Sequence, residues 1–112
     1  MQIRIQGTNM ELTPAIREYA EKKILSLEKF FDKIVTADID VGMNSKHHLK
    51  GDVFYAEVNL GVPGKLIRVT KEEADLYKAI DKVKDHLKVE LQKIKEKKVR
   101  RDKKVLREQK AY

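Results

Sequence analysis

Residues 35–70, VTADIDVGMNSKHHLKGDVFYAEVNLGVPGKLIRVT, carry the pattern that decides the fold class. Val35, Ala37, Ile39, Val41 and Met43 alternate with Thr36, Asp38, Asp40 and Gly42. A two-residue period of this kind is the mark of a strand with one dry and one wet face. A polar stretch holding Gly51, residues 44–52, reads as a loop, after which Phe54, Ala56, Val58 and Leu60 again share one face. Val62-Pro63-Gly64 reads as a tight turn, since proline presets φ and glycine accepts a left-handed position. Residues 65–70 return as a further strand with Ile67 and Val69 on the core side. Three alternating runs with short connections predict an antiparallel meander.

Toward the N-terminus, residues 2–7 alternate as well, with Ile3 and Ile5 on one face and Gln2, Arg4 and Gln6 on the other. Leu12-Thr13-Pro14 then opens a helix: the Thr13 hydroxyl suits the cap, and Pro14 suits the first helical position, where no amide donor is missed. Ile16, Ala20, Ile24, Leu27 and Phe31 recur every three or four residues and predict a buried stripe. The other side of this helix carries Arg17, Glu18, Glu21, Lys22, Lys29 and Lys33. Toward the C-terminus, Glu72-Glu73-Ala74-Asp75 predicts the start of a long helix, its acids at the positive end of the helix dipole. Leu76, Ile80, Val83, Leu87, Leu91 and Ile94 form its core stripe, which fades after Val99. The order β-α-β-β-β-α predicts an α+β fold, one four-stranded sheet with both helices packed on one face. Residues 1–98 are expected to form the domain, and residues 99–112 a basic C-terminal extension, helical or disordered.

A chain of 112 residues accommodates one domain. Its formal net charge of +7 is unevenly placed. Residues 1–92 hold 15 Lys/Arg and 15 Asp/Glu, whereas the last 20 residues hold 10 Lys/Arg against Glu96, Asp102 and Glu108 alone. A basic arm on a neutral body is the footprint of a polyphosphate partner, although an anionic membrane surface draws basic segments too. The absence of Cys excludes disulfides, thiolate catalysis and cysteine-ligated zinc. No run approaches the roughly 20 apolar residues of a membrane helix, and the N-terminus alternates where a signal peptide would be continuously apolar. A cytoplasmic location is therefore expected.

Catalytic signatures are missing: there is no Gly-rich phosphate loop, Ser-x-x-Lys pair or nucleophile elbow. Asp38 and Asp40 share a strand face, and their alternation with Thr36 favours a solvated outer face over paired carboxylates. His47-His48 has no third ligand at suitable spacing, so neither metal nor other cofactor is expected. His86, next to core Leu87, belongs at the helix flank. Tyr19 and Tyr77 keep the spacing of the apolar stripes, and Tyr55 beside Glu57 is the better candidate for a surface contact.

Two separated blocks resemble the ribosome hibernation-promoting factor and ribosome-associated inhibitor family, also called the sigma-54 modulation protein family. The first is Ile3-x-Ile5-x-Gly7 with Met10-Glu11-Leu12-Thr13-Pro14-Ala15-Ile16-Arg17 and then Leu27-Glu28-Lys29-Phe30. The second is Asp75-Leu76-Tyr77-Lys78-Ala79-Ile80-Asp81, followed by Leu87-x-x-x-Leu91-x-Lys93. The resemblance implies a domain like the double-stranded RNA-binding folds, seated in the small ribosomal subunit where transfer and messenger RNA otherwise lie. It implies a silenced ribosome under stress, with the small subunit and its ribosomal RNA as partners, no small-molecule substrate, no membrane, and no stable homo-oligomer off the ribosome. Long members of the family carry a second, dimerising domain, so the match is to a short form or to the N-terminal domain of a long one. The residues expected to grip ribosomal RNA are Arg17, Lys22, Lys23 and Lys29 on the first helix. On the second they are Lys82, His86, Lys88, Lys93, Lys95, Lys97, Lys98, Arg100 and Arg101. Ser26, His86 and Val89 stand where relatives usually place a cation, and Glu90 adds an anion. A free double-stranded RNA-binding module, unconnected to ribosomes, is the alternative that the same fold permits.

Overall fold

A computed structural model describes residues 1–44 and 53–110, with side-chain surroundings through Lys98. Strand β1 (Gln2–Thr8) leads into helix α1 (Pro14–Leu25), which tightens into a 3₁₀ turn (Ser26–Lys29). Strands β2 (Thr36–Met43), β3 (Phe54–Val62) and β4 (Lys65–Glu73) follow, and helix α2 (Leu76–Lys110) closes the chain. The sheet runs β1-β2-β3-β4. The meander is as expected: Ile39 pairs with Val58 and Leu60 with Ile67, both antiparallel. The parallel pairing of β1 with β2, in register Ile3 to Ala37, is set by α1, since parallel neighbours need a crossover long enough to hold a helix.

Local chemistry starts and stops each element. The Thr13 hydroxyl accepts from the Ile16 amide at 3.2 Å, with Pro14 directly after it. Asn9 takes a left-handed φ of 58° in the β1–α1 connection, a conformation asparagine tolerates. Gly64 sits at φ 74° in the Pro63-Gly64 turn between β3 and β4. In β2, Gly42 is required by close approach, because a Cβ there would collide with the Thr8 carbonyl and the Tyr55 ring.

Both helices cover one face of the sheet. Ile16, Ala20, Ile24 and Leu27 from α1 and the 3₁₀ turn meet Leu76, Ile80, Val83, Leu87 and Leu91 of α2 in one core. Ala37, Ile39, Val41, Ala56, Val58, Leu60, Ile67 and Val69 form its floor. No polar or charged side chain is buried among the described residues. The core thus rests on apolar burial, at roughly 25 cal/mol per Å² removed from water.

Three expectations need correction. Glu72 and Glu73 do not open the second helix; they finish β4, paired with Tyr55 and Phe54. Strand pairing with β3 continues past Thr70, and α2 begins after Asp75, whose carboxylate accepts from the Tyr77 amide at 2.9 Å. Val35 precedes β2 and is 58% exposed; Ile34 enters the core instead. The first helix ends at Leu25, and the tighter turn after it leaves Phe31 half-buried.

Helix α2 outruns the body. Its last core-packed residue is Ile94, yet the backbone stays helical to Lys110. At 1.5 Å per residue that projection is about 24 Å long, and it accounts for a longest dimension of 65 Å against 25 and 18 Å.

Candidate nucleic-acid interface

The first group of expected cations lies along the seam between the helices. Tyr19 and Tyr77 meet edge to face with ring centroids 4.8 Å apart. The Tyr19 hydroxyl donates to Asp81 at 2.6 Å, and the Lys23 ammonium lies 3.5 Å from the same carboxylate. The hydrogen bond to Asp81, with burial and the nearby acids adding to it, pushes the Tyr19 pKa up to about 12. One turn pair further on, the Lys88 ammonium sits 4.3 Å from the centre of the Phe30 ring, a cation–π contact across the seam. Ser26, where a cation was expected, donates its hydroxyl to the Lys23 carbonyl at 2.5 Å and so tightens the end of α1.

A second group lines the side of α2 that faces β4. Lys82 pairs with Glu73. His86 Nε2 and Lys93 Nζ lie 3.5 and 3.4 Å from the same Glu90 oxygen. Partial burial works to raise the Glu90 pKa, but Lys93, His86 and Lys65 outweigh it and hold the carboxyl below its ordinary value. Val89, the third substituted position, is 48% exposed between these groups.

The third group surrounds a cleft of about 1000 Å³. Three segments distant in sequence converge there: Phe31 to Lys33 after the 3₁₀ turn, Val62 to Lys65 at the β3–β4 turn, and α2 from Glu90 to Lys98. Lys33, Lys65, Lys93, Lys95, Lys97 and Lys98 line it, against Asp32, Glu90 and Glu96. Lys33 is held below the ordinary lysine range chiefly by Lys98 beside it.

The opposite face of the sheet has the other sign. Alternation puts Asp38, Asp40, Glu57 and Glu72 on it, with Arg4 and Arg68 as cations. Asp40 accepts from the Thr8 hydroxyl at 2.8 Å and the Tyr55 hydroxyl at 3.0 Å. The Tyr55 hydroxyl, expected to make a surface contact, is therefore engaged within the sheet. Burial first, then Asp40, raises its pKa against the opposing hydrogen bond from Thr8. Asp38 and Asp40 stand on the outer face as expected; Arg68 bonds Asn59 at 2.8 Å and reaches Glu57 at 3.3 Å.

The thirteen expected positions do not form one open patch. Arg17 reaches Glu21 at 3.7 Å and Lys23 reaches Asp81, while Lys82, His86 and Lys93 are paired on α2. Lys22, Lys29, Lys95, Lys97 and Lys98 are exposed. Arg17 and Lys22 diverge by roughly 140° around α1 at 3.6 residues per turn. The backbone of Arg100 and Arg101 lies on the projecting part of α2. Lys33 was visible only as a cation on the outer side of the first helix, and Lys65 carried no signal beyond its place after the Pro-Gly turn. His47 and His48 lie outside the described residues. Among the described residues no group of three or more His, Asp or Glu could hold a metal ion, and no helix is long and apolar enough to cross a membrane.

Comparison with known proteins places these features in a lineage. The family model for the sigma 54 modulation protein / S30EA ribosomal protein matches residues 3–99. A ribosome hibernation promotion factor of Deinococcus radiodurans is 39% identical over 101 residues, covering 85% of this chain and 50% of that protein. A ribosome hibernation promoting factor of Azotobacter vinelandii is 36% identical over 101 residues, covering 90% of this chain and 89% of that one. The chain thus spans half the length of the first relative and most of the second. The crystal structure of the Thermus thermophilus Protein Y N-terminal domain superposes with a TM-score of 0.73 at 36% identity, covering 84% of this chain and 99% of that domain.

Proposed function

The chain belongs to the sigma 54 modulation protein / S30EA ribosomal protein family, and from that membership we propose that it is a non-enzymatic ribosome hibernation factor. It binds the small ribosomal subunit in the channel used by transfer and messenger RNA, and it silences translation by occupying that space. The relatives named as hibernation factors support the role. The observation that supports the binding mode is the separation of charge: exposed lysines lie on the helix side and the acids Asp38, Asp40, Glu57 and Glu72 on the outer sheet face.

Such a dipolar body approaches a polyphosphate with its helices first, because the sheet face is repelled and the helix face attracted. Lys and Arg side chains then displace condensed counterions from phosphates, so affinity falls steeply with salt. Helical RNA hides its base edges in a deep, narrow major groove, so this surface reads phosphate spacing and shape. Arg17, Lys22, Lys23, Lys29, Lys82, His86, Lys88 and Lys93 serve the contact from the body, and Lys95, Lys97, Lys98, Arg100 and Arg101 from the projecting helix. Ion pairs at exposed sites hold side chains by only about 0.2–1 kcal/mol, so Arg17 exchanges Glu21 for phosphate at little cost. Inhibition needs no bond chemistry, since a folded domain excludes transfer RNA by volume. The protein forms no stable homo-oligomer off the ribosome and works in the cytoplasm, where ribosomes are found.

The test is sedimentation of purified protein with vacant ribosomes on sucrose gradients at rising salt. Co-migration with small subunits that is lost as salt rises is expected. Protein that stays at the top of the gradient yet binds plain duplex RNA would refute the ribosomal role and favour a free RNA-binding module.

A further inference from the structure

We propose that the cleft between the β3–β4 turn and the α2 segment from Glu90 to Lys98 is a phosphate-binding site in which Lys33 and Lys65 are ligands, taking successive phosphates of an RNA strand or of a free polyphosphate. The RNA form of this inference rests on the helix-first binding mode proposed above.

Three features carry it. The cleft gathers six lysines from three separate segments against three acids, within about 1000 Å³. One of those acids, Glu90, is already engaged by Lys93 and His86, which leaves Asp32 and Glu96 to face the other five lysines. Second, Lys33 and Lys98 line the same cleft, and the effect of Lys98 on Lys33 outweighs the opposite pull of Asp32. Two ammonium groups side by side are mutually unfavourable until an anion lies between them. Phosphate oxygens accept from both with charge-assisted hydrogen bonds, which are about twice as strong as neutral ones.

Third, the wall of the cleft suits a backbone ligand. Gly64 has open space where a side chain would stand, so a phosphate can approach the turn's main chain closely. Phe31, Val62 and Ile94 supply an apolar lining along which lysine stems lie while their ammonium groups reach outward. Lys33 and Lys65 are both exposed and outside the core, so the fold does not account for their convergence.

The experiment compares the wild-type chain, Lys33→Ala/Lys65→Ala, and Arg17→Ala/Lys22→Ala, the last carrying changes on α1 away from the cleft. Two probes are used: inorganic tripolyphosphate by calorimetry, and small ribosomal subunits by pelleting across a salt series. The cleft variant is expected to lose tripolyphosphate binding while the α1 variant keeps it. Loss of subunit affinity on the order of tenfold in the cleft variant, with a salt slope flatter by about 1–2, identifies RNA phosphates as the ligand. Unchanged subunit binding with lost tripolyphosphate binding identifies a free polyphosphate instead. Tripolyphosphate binding that is absent from the wild type, or equal in the cleft variant, overturns the proposal. Subunit binding untouched in the α1 variant faults the helix-first mode and leaves the cleft to be judged by tripolyphosphate alone.

Discussion

Replacing Asp81 with Ala separates stability from binding, because this one carboxylate ties the helices together and also occupies a candidate RNA-binding lysine. It accepts from the Tyr19 hydroxyl at 2.6 Å and lies 3.5 Å from the Lys23 ammonium. A hydrogen bond to a charged group contributes about 1.5–3 kcal/mol. Asp81 is 43% exposed and solvent screens it, which puts the contact at the lower end of that range. The exposed ion pair adds about 0.2–1 kcal/mol. Asp81→Ala should therefore cost about 2 kcal/mol, and Tm should fall by about 8–16 °C, at 4–8 °C per kcal/mol for a domain of this size. Asp81→Asn keeps an acceptor for Tyr19 and should lose roughly half as much. The effect on small-subunit binding has the opposite sign. Removing a negative charge and releasing Lys23 should tighten binding and steepen its salt slope by up to about 0.9. Thermal melts and salt-titrated pelleting of the same preparations read both quantities. Weaker subunit binding in folded Asp81→Ala protein, or an unchanged Tm, would refute the reasoning.

The other outcomes follow from single contacts. Leu87, fully buried on the core face of α2, should cost about 2–5 kcal/mol on change to Ala, measured by urea unfolding. Gly64→Ala meets no atom within 4 Å, so its cost is the left-handed backbone alone, about 1–2 kcal/mol; a neutral result by thermal melt would contradict the φ of 74°. The Tyr19 pKa is raised in the fold from 10.0 to about 12, so the stability it adds is complete below pH 10 and lost as pH climbs through 12. Urea midpoints measured across that window should decline for the wild type and decline less for Tyr19→Phe, and tyrosinate absorbance of Asp81→Ala should return Tyr19 toward its ordinary range.

Much of this fold was legible wherever one residue type satisfies two rules at once. Thr13-Pro14 gave the start of α1 because cap chemistry and proline geometry agree there, and Pro63-Gly64 gave the β3–β4 turn for the same kind of reason. Ala37, Ile39 and Val41 showed their face by period alone. The errors occurred where long-range pairing outcompeted a local signal. Glu72 and Glu73 look like the first turn of a helix, yet β3 supplies them with partners, and Asp75 takes over the cap. Val35 has the right parity for β2 but lies beyond the strand, and its side chain is exposed. The site was less legible than the fold. Periodicity tells which side of a helix is wet, and Lys22 is exposed on the side of α1 that the stripe leaves free. It cannot tell that Asp81 holds Lys23, that Phe30 lies under Lys88, or that Lys33 and Lys65 line one cleft, because each juxtaposition joins segments far apart in sequence.

Occupation of the transfer RNA path by the folded domain is the central claim, and displacement of labelled transfer RNA from isolated small subunits tests it most directly. At low ionic strength, one equivalent of the protein per subunit should release bound transfer RNA, and saturating transfer RNA should in turn raise the amount of protein needed. Simultaneous, independent binding of both to the same subunit would contradict the account.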